Sequence, residues 1–168
     1  MSRLFLLRHA KAAWAQSGMR DFDRPLEASG RGDALALGAE MAARGYVPDR
    51  VLCSTALRAR QTWAAVALGF SVAEERVVFE DGLYNSDAAD YLTLVRGTEN
   101  AASILVVGHN PMMEDLAMVL SGDGEEAALQ LASGYPTCGL AVIGFPDGLA
   151  QAAPGQGRLE AFLKPAAR

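Results

Sequence analysis

The stretch LFLLRHAKAAW (residues 4–14) runs four apolar residues straight into an arginine and a histidine. So short and continuous an apolar run reads as a strand covered on both faces that surfaces at its carboxyl end. Arg8 follows the buried run directly, so its guanidinium needs an anion to offset desolvation. The chain has only two histidines among 168 residues, and His9 sits at the lip of this strand.

Five more runs read as strands: RVLCS (50–54), RVVF (76–79), SILVVG (103–108), GLAVIGF (139–145) and GRLEAFL (157–163). The first, second and fourth of the six are the most continuously apolar and are expected at the centre of a sheet. Helices are expected between them. Residues 29–44 place Ala34, Leu37, Met41 and Ala42 on one stripe before a stop at Gly45. Residues 56–68 carry Ala56, Ala59, Trp63, Val66 and Ala67 at helical spacing. Residues 87–96 start at Asp87, a good N-cap, and residues 111–120 start at Pro111, a favoured first-turn residue. Residues 121–137 read as a loop with a short helix, and 146–156 as a turn between edge strands.

This order predicts an α/β fold: a three-layer α/β/α single domain over 1–168, with a mostly parallel central sheet and an antiparallel edge from the last two strands. Lys and Arg total 15 against 20 Asp and Glu, a formal net charge of −5, which argues against general binding to nucleic acid or an anionic membrane. Cys53 and Cys138 have no metal or disulfide-framework spacing and read as buried free thiols. No apolar run approaches the roughly 20 residues of a membrane span, and the start lacks a signal-peptide core, so a cytoplasmic protein is expected. The chain has no GxxxxGK[ST] loop, HExxH or GxSxG, and no cofactor or metal is expected.

In such sheets ligands gather beyond the carboxyl ends of the strands. Arg8-His9, Ser54 and Gly108-His109-Asn110 all fall there, so both histidines stand where this architecture places active sites. STALRARQT (54–62) adds Arg58 and Arg60, whose spacing sends them to different helix faces. DFDRPLEASGRG (21–32) adds Arg24, just before a proline. Arginine forks match phosphate oxygens, and a neutral imidazole is a competent nucleophile near pH 7. Attack on phosphorus would give a covalent phosphohistidine, with arginines and a second, protonated histidine offsetting charge. Glu80 and Asp81, past the third strand, are the nearest acids for a leaving group.

LLRHAKA, STALRARQT and VVGHNP together closely resemble the histidine phosphatase superfamily, of phosphoglycerate-mutase-like fold. The short length and DFDRPLEASGRG are similar to its SixA-type phosphohistidine phosphatases. The resemblance runs from residue 3 to about residue 120 and implies His9 as nucleophile, Arg8 and Arg58 as phosphate ligands, and His109 as the second histidine. It implies Arg24 as a further pocket arginine and places Asp81 nearest the acid position, while Arg60 matches no family position. Ala10 replaces the glycine of the commonest family motif; its carbonyl is still expected to hold the nucleophile's Nδ1–H. The substrate implied is a phosphorylated one, either protein phosphohistidine or a small metabolite. A non-catalytic module binding phosphate or a phosphopeptide is the alternative of a different class.

Overall fold

Strand alternation divides the apolar side chains between two faces of one sheet. In β1 (Ser2–Arg8), Leu4 and Leu6 point to one side and Phe5 and Leu7 to the other, all fully buried. The structure, a computed structural model, describes residues 1–122 and 124–166. The expected loop at 121–137 is therefore described except at residue 123. The expected span 1–168 is described except at residue 123 and its last two residues.

The other strands are β2 (Arg50–Ser54), β3 (Val77–Glu80), β4 (Ser103–Gly108), β5 (Leu140–Phe145) and β6 (Arg158–Leu163). They form one sheet in the order β3-β2-β4-β1-β5-β6. Pairings β2/β3, β2/β4 and β1/β4 are parallel, whereas β1/β5 and β5/β6 are antiparallel. The last two strands thus supply the antiparallel edge, as expected. The centre is wider than the apolar runs alone indicated: β5 lies between β1 and β6 and is buried at every residue.

Helices α1 (Ala28–Arg44) and α2 (Leu57–Val66) cover one face. Helices α3 (Ala88–Arg96), α4 (Met112–Leu120) and α5 (Glu125–Leu131) cover the other, giving three layers. Local chemistry sets the ends. Asp87 accepts from the Asp90 amide while the Asp90 carboxylate accepts from the Asp87 amide, a reciprocal cap for α3. Gly45, at φ 75°, closes α1 in the left-handed conformation. The expected helix over 56–68 stops earlier, at Val66, and passes into a 3-10 turn over Ala67–Gly69. There Gly38 of α1 meets the chain so closely that a Cβ would lie 2.3 Å from the Val66 carbonyl oxygen.

Candidate active site

Strand register brings the two histidines together. In the parallel β1/β4 pair Arg8 stands opposite Gly108, so the next residues, His9 and His109, leave the sheet side by side. The His9 amide donates to the Gly108 carbonyl at 3.0 Å, and the imidazole centroids lie 5.1 Å apart. On the other side, the Cys138 amide lies 3.0 Å from both the Arg8 and the His9 carbonyl oxygens, which ties this corner to the start of β5.

Each ring is held from behind. His9 Nδ1 lies 2.7 Å from the Ala10 carbonyl oxygen, so Nδ1 carries the proton there and Nε2 keeps its lone pair. Alanine at position 10 therefore supplies the carbonyl expected of it. Its amide in turn donates to Thr62 Oγ1 at 2.9 Å, and Thr62 donates to the Arg58 carbonyl. The His109 amide donates to the Tyr91 hydroxyl at 3.1 Å, and that hydroxyl donates to the Leu83 carbonyl. Glycine is required at 108 because a Cβ would lie 2.6 Å from the same hydroxyl oxygen.

The far side of His109 is set by Ser54. His109 Nε2 lies 2.8 Å from Ser54 Oγ, which also accepts from the Ala56 amide at 3.2 Å. Both side chains are buried, and His109 Nδ1 is buried without a partner among the described residues. If Nε2 donated to Ser54, the serine hydrogen and the Nδ1 lone pair would both be left over. If the serine donates to Nε2, only the Nδ1 hydrogen is left. Hydrogen-bond economy favours the second arrangement, a His109 protonated at Nδ1.

Guanidiniums surround the pair. Arg8 donates from Nη1 to the Tyr135 carbonyl at 2.7 Å, while its Nε is buried and unpartnered among the described residues. Arg58, 7% exposed, sends Nη1 to the Asp21 carbonyl (2.9 Å) and Nη2 to Asp21 Oδ2 (3.0 Å). Arg24 sends Nη1 to Asp21 Oδ1 and Nε to the Ala13 carbonyl, both at 2.9 Å. Arg60 is exposed, so of the two helix arginines one faces the site and the other solvent.

Burial first, then the positive charges of Arg58, Arg8 and Arg24, depress the His9 pKa to about 4, against the opposing pull of the Ala10 carbonyl. Burial, with His9, Arg58 and Arg8, depresses that of His109 to about 3 despite Asp21. Both rings are thus neutral at pH 7 before any anion arrives. The second histidine, expected to be protonated during the reaction, is neutral in the ligand-free site, because burial, with His9, Arg58 and Arg8, opposes its charged form. Burial also lowers the Arg8 pKa, partly countered by Glu114. For Asp21, burial acts upward, but hydrogen bonds from Arg24, Tyr84 and Arg58 outweigh it and hold the carboxyl at about 2.

The structure therefore brings Arg8, His9, Arg24, Arg58 and His109 to one corner of the sheet. Asp81 stands nearby, where its Oδ1 accepts from Thr55 Oγ1 at 2.6 Å rather than from either imidazole. Glu80 ends β3 and borders a separate cleft with Arg50 and Arg76. Sequence reading passed over Asp21 and Tyr84, whose hydroxyl donates to Asp21 Oδ2 at 2.8 Å and whose ring lies edge-on to His109. The signal for Asp21 was its position three residues before Arg24; Tyr84 offered none.

Residues 4–94 match the histidine phosphatase superfamily, branch 1. An uncharacterized protein of Mycobacterium tuberculosis, Rv1276c, is 34% identical over 95% of this chain and 99% of its own. The crystal structure of a SixA homologue from Agrobacterium tumefaciens is 39% identical, with a TM-score of 0.85 over 98% of both chains. A protein histidine phosphatase SixA complexed with tungstate shares the fold, with a TM-score of 0.79 at 23% identity over 97% of each chain. No helix among the described residues is long and apolar enough to cross a membrane. With the match covering more than half its length, the chain belongs to the histidine phosphatase superfamily, and within it is similar to the SixA-type members.

Proposed function

We propose that this phosphatase hydrolyses a phosphoramidate or phosphomonoester without a metal, through a covalent phosphohistidine on His9, and that protein phosphohistidine is its substrate class. The observation that carries the reading is the His9–His109 pair, 5.1 Å apart, with His9 Nδ1 bound to a carbonyl and Nε2 left as the free lone pair. Nε2 attacks phosphorus, the bond from phosphorus to the leaving atom breaks with its electron pair on that atom, and the leaving group takes a proton from solvent. Water then attacks the phosphohistidine, the P–N bond breaks, and inorganic phosphate leaves. Arg8, Arg24 and Arg58 stabilise charge on the phosphoryl oxygens, and the orphan Nδ1–H of His109 supplies a further donor.

The leaving group favours nitrogen over oxygen. An imidazole leaving group is protonated readily near pH 7, whereas an alkoxide requires a strong acid. The expected acid, Asp81, is bonded to Thr55. The likeness to the Agrobacterium SixA homologue supports the same substrate class.

Turnover of a phosphohistidine peptide and of a chromogenic phosphate ester should be insensitive to EDTA, with the peptide preferred. His9→Ala should abolish both while leaving the fold intact. Rapid quench with labelled substrate should trap an acid-labile, base-stable label on His9. Full turnover by His9→Ala would overturn the mechanism, and binding without any turnover would indicate a phosphate-binding module.

A further inference from the structure

Asp21 stands where an anion belongs. Its carboxylate and carbonyl take both Nη groups of Arg58 and one of Arg24, and Tyr84 adds a hydroxyl. These are two of the three guanidiniums that the proposed function gives to the phosphoryl group. Unlike Arg58, which is buried, the Asp21 side chain is 52% exposed, so it can turn into solvent without a desolvation cost.

From this we propose that Asp21 is a resident anion of the phosphate pocket: it holds Arg58 and Arg24 in place when the pocket is free and competes with phosphate for them. The inference rests on the phosphatase reading of the site and adds a role for a residue outside its chemistry. Three guanidiniums around two neutral imidazoles would otherwise hold a phosphate dianion strongly, product included. A tethered carboxylate weakens that hold at the step where inorganic phosphate must leave, and it keeps the arginines ordered for the next substrate. Asp21 is accordingly a positioning residue, acting through Arg24 and Arg58.

The test is phosphate affinity, because competition and simple support predict opposite signs. Inorganic phosphate is titrated calorimetrically into wild type, Asp21→Asn and Asp21→Ala, with urea unfolding to verify that each variant is folded. Removing one competing charge should tighten phosphate binding by about tenfold in Asp21→Asn. KM and the inhibition constant for phosphate should fall together, with no gain in kcat. Weaker or unchanged phosphate binding in a folded Asp21→Asn variant overturns the proposal while leaving the phosphatase reading intact. Should Asp21→Asn fail to fold, the same criterion applies to Asp21→Ala, and unfolding of both would show Asp21 to be structural and overturn the proposal. Failure of wild type itself to bind phosphate at millimolar concentration would instead count against the phosphatase reading, and the proposal would fall with it.

Discussion

Lowering the pH from 7 to 5 should destabilise this protein chiefly through two residues. The chain contains two histidines, both in the site, and histidine is the one side-chain type whose ordinary pKa lies in this window. In the folded state His9 and His109 bind protons only near pH 4 and pH 3, because burial and the neighbouring guanidiniums oppose their charged forms. In the unfolded chain both return to about 6.5. The unfolded state therefore binds more protons throughout the window, and stability falls as pH falls. The contribution is fully present above about pH 6.5 and is progressively lost toward the folded-state values. Going from pH 7 to pH 5 costs about 2 kcal/mol for each ring, or about 4 kcal/mol for both. That is a large part of a typical folding stability of roughly 5–15 kcal/mol. Urea unfolding at pH 7, 6 and 5 measures it, with the double variant His9→Gln/His109→Gln as control. Wild type should lose stability steeply and the double variant should stay nearly flat. Equal losses in the two proteins, or a flat wild-type profile, would show that the two rings do not set the acid sensitivity. Asp21, held at about 2, enters only below the ordinary aspartate range and leaves this window clean.

Two further outcomes follow from single contacts. Ser54→Ala removes the donor to His109 Nε2, so nitrogen-15 shifts of that ring should move from the Nδ1–H form toward a mixture, and kcat should fall by about tenfold with little change in KM. An unchanged tautomer would show that Ser54 does not set it. Gly38→Ala forces a methyl to 2.3 Å from the Val66 carbonyl, where backbone rather than a pliable side chain must move. It should cost about 1–3 kcal/mol in urea unfolding while leaving kcat near wild type.

Much of the site was legible because strand ends are legible. Apolar runs that break abruptly at Arg8-His9 and Gly108-His109 located both histidines, and the parallel register made them neighbours. Cap chemistry likewise placed the start of α3 at Asp87. What stayed hidden depends on contacts across long sequence separations. Tyr84 reaches Asp21 over 63 positions, Ser54 reaches His109 over 55, and no local pattern marks either pair. The neutrality of His109 was hidden for the same reason. It follows first from burial and then from His9, Arg58 and Arg8, which stand far apart in the chain and meet only in the folded protein.

That neutrality divides the labour within the pocket. A nucleophile must keep a lone pair, and a phosphate pocket must keep positive charge; a histidine asked to do both at pH 7 would spend part of its time unable to do either. Here guanidiniums, which do not deprotonate in the physiological range, hold the charge, while burial first and their field second keep both imidazoles neutral. On the proposed mechanism His9 keeps its attacking lone pair down to about pH 4. The arrival of a phosphoryl dianion offsets that field, so protonating His109 becomes easier after the substrate is in place than before. The same burial that keeps the histidines neutral should make acid solutions destabilise the protein.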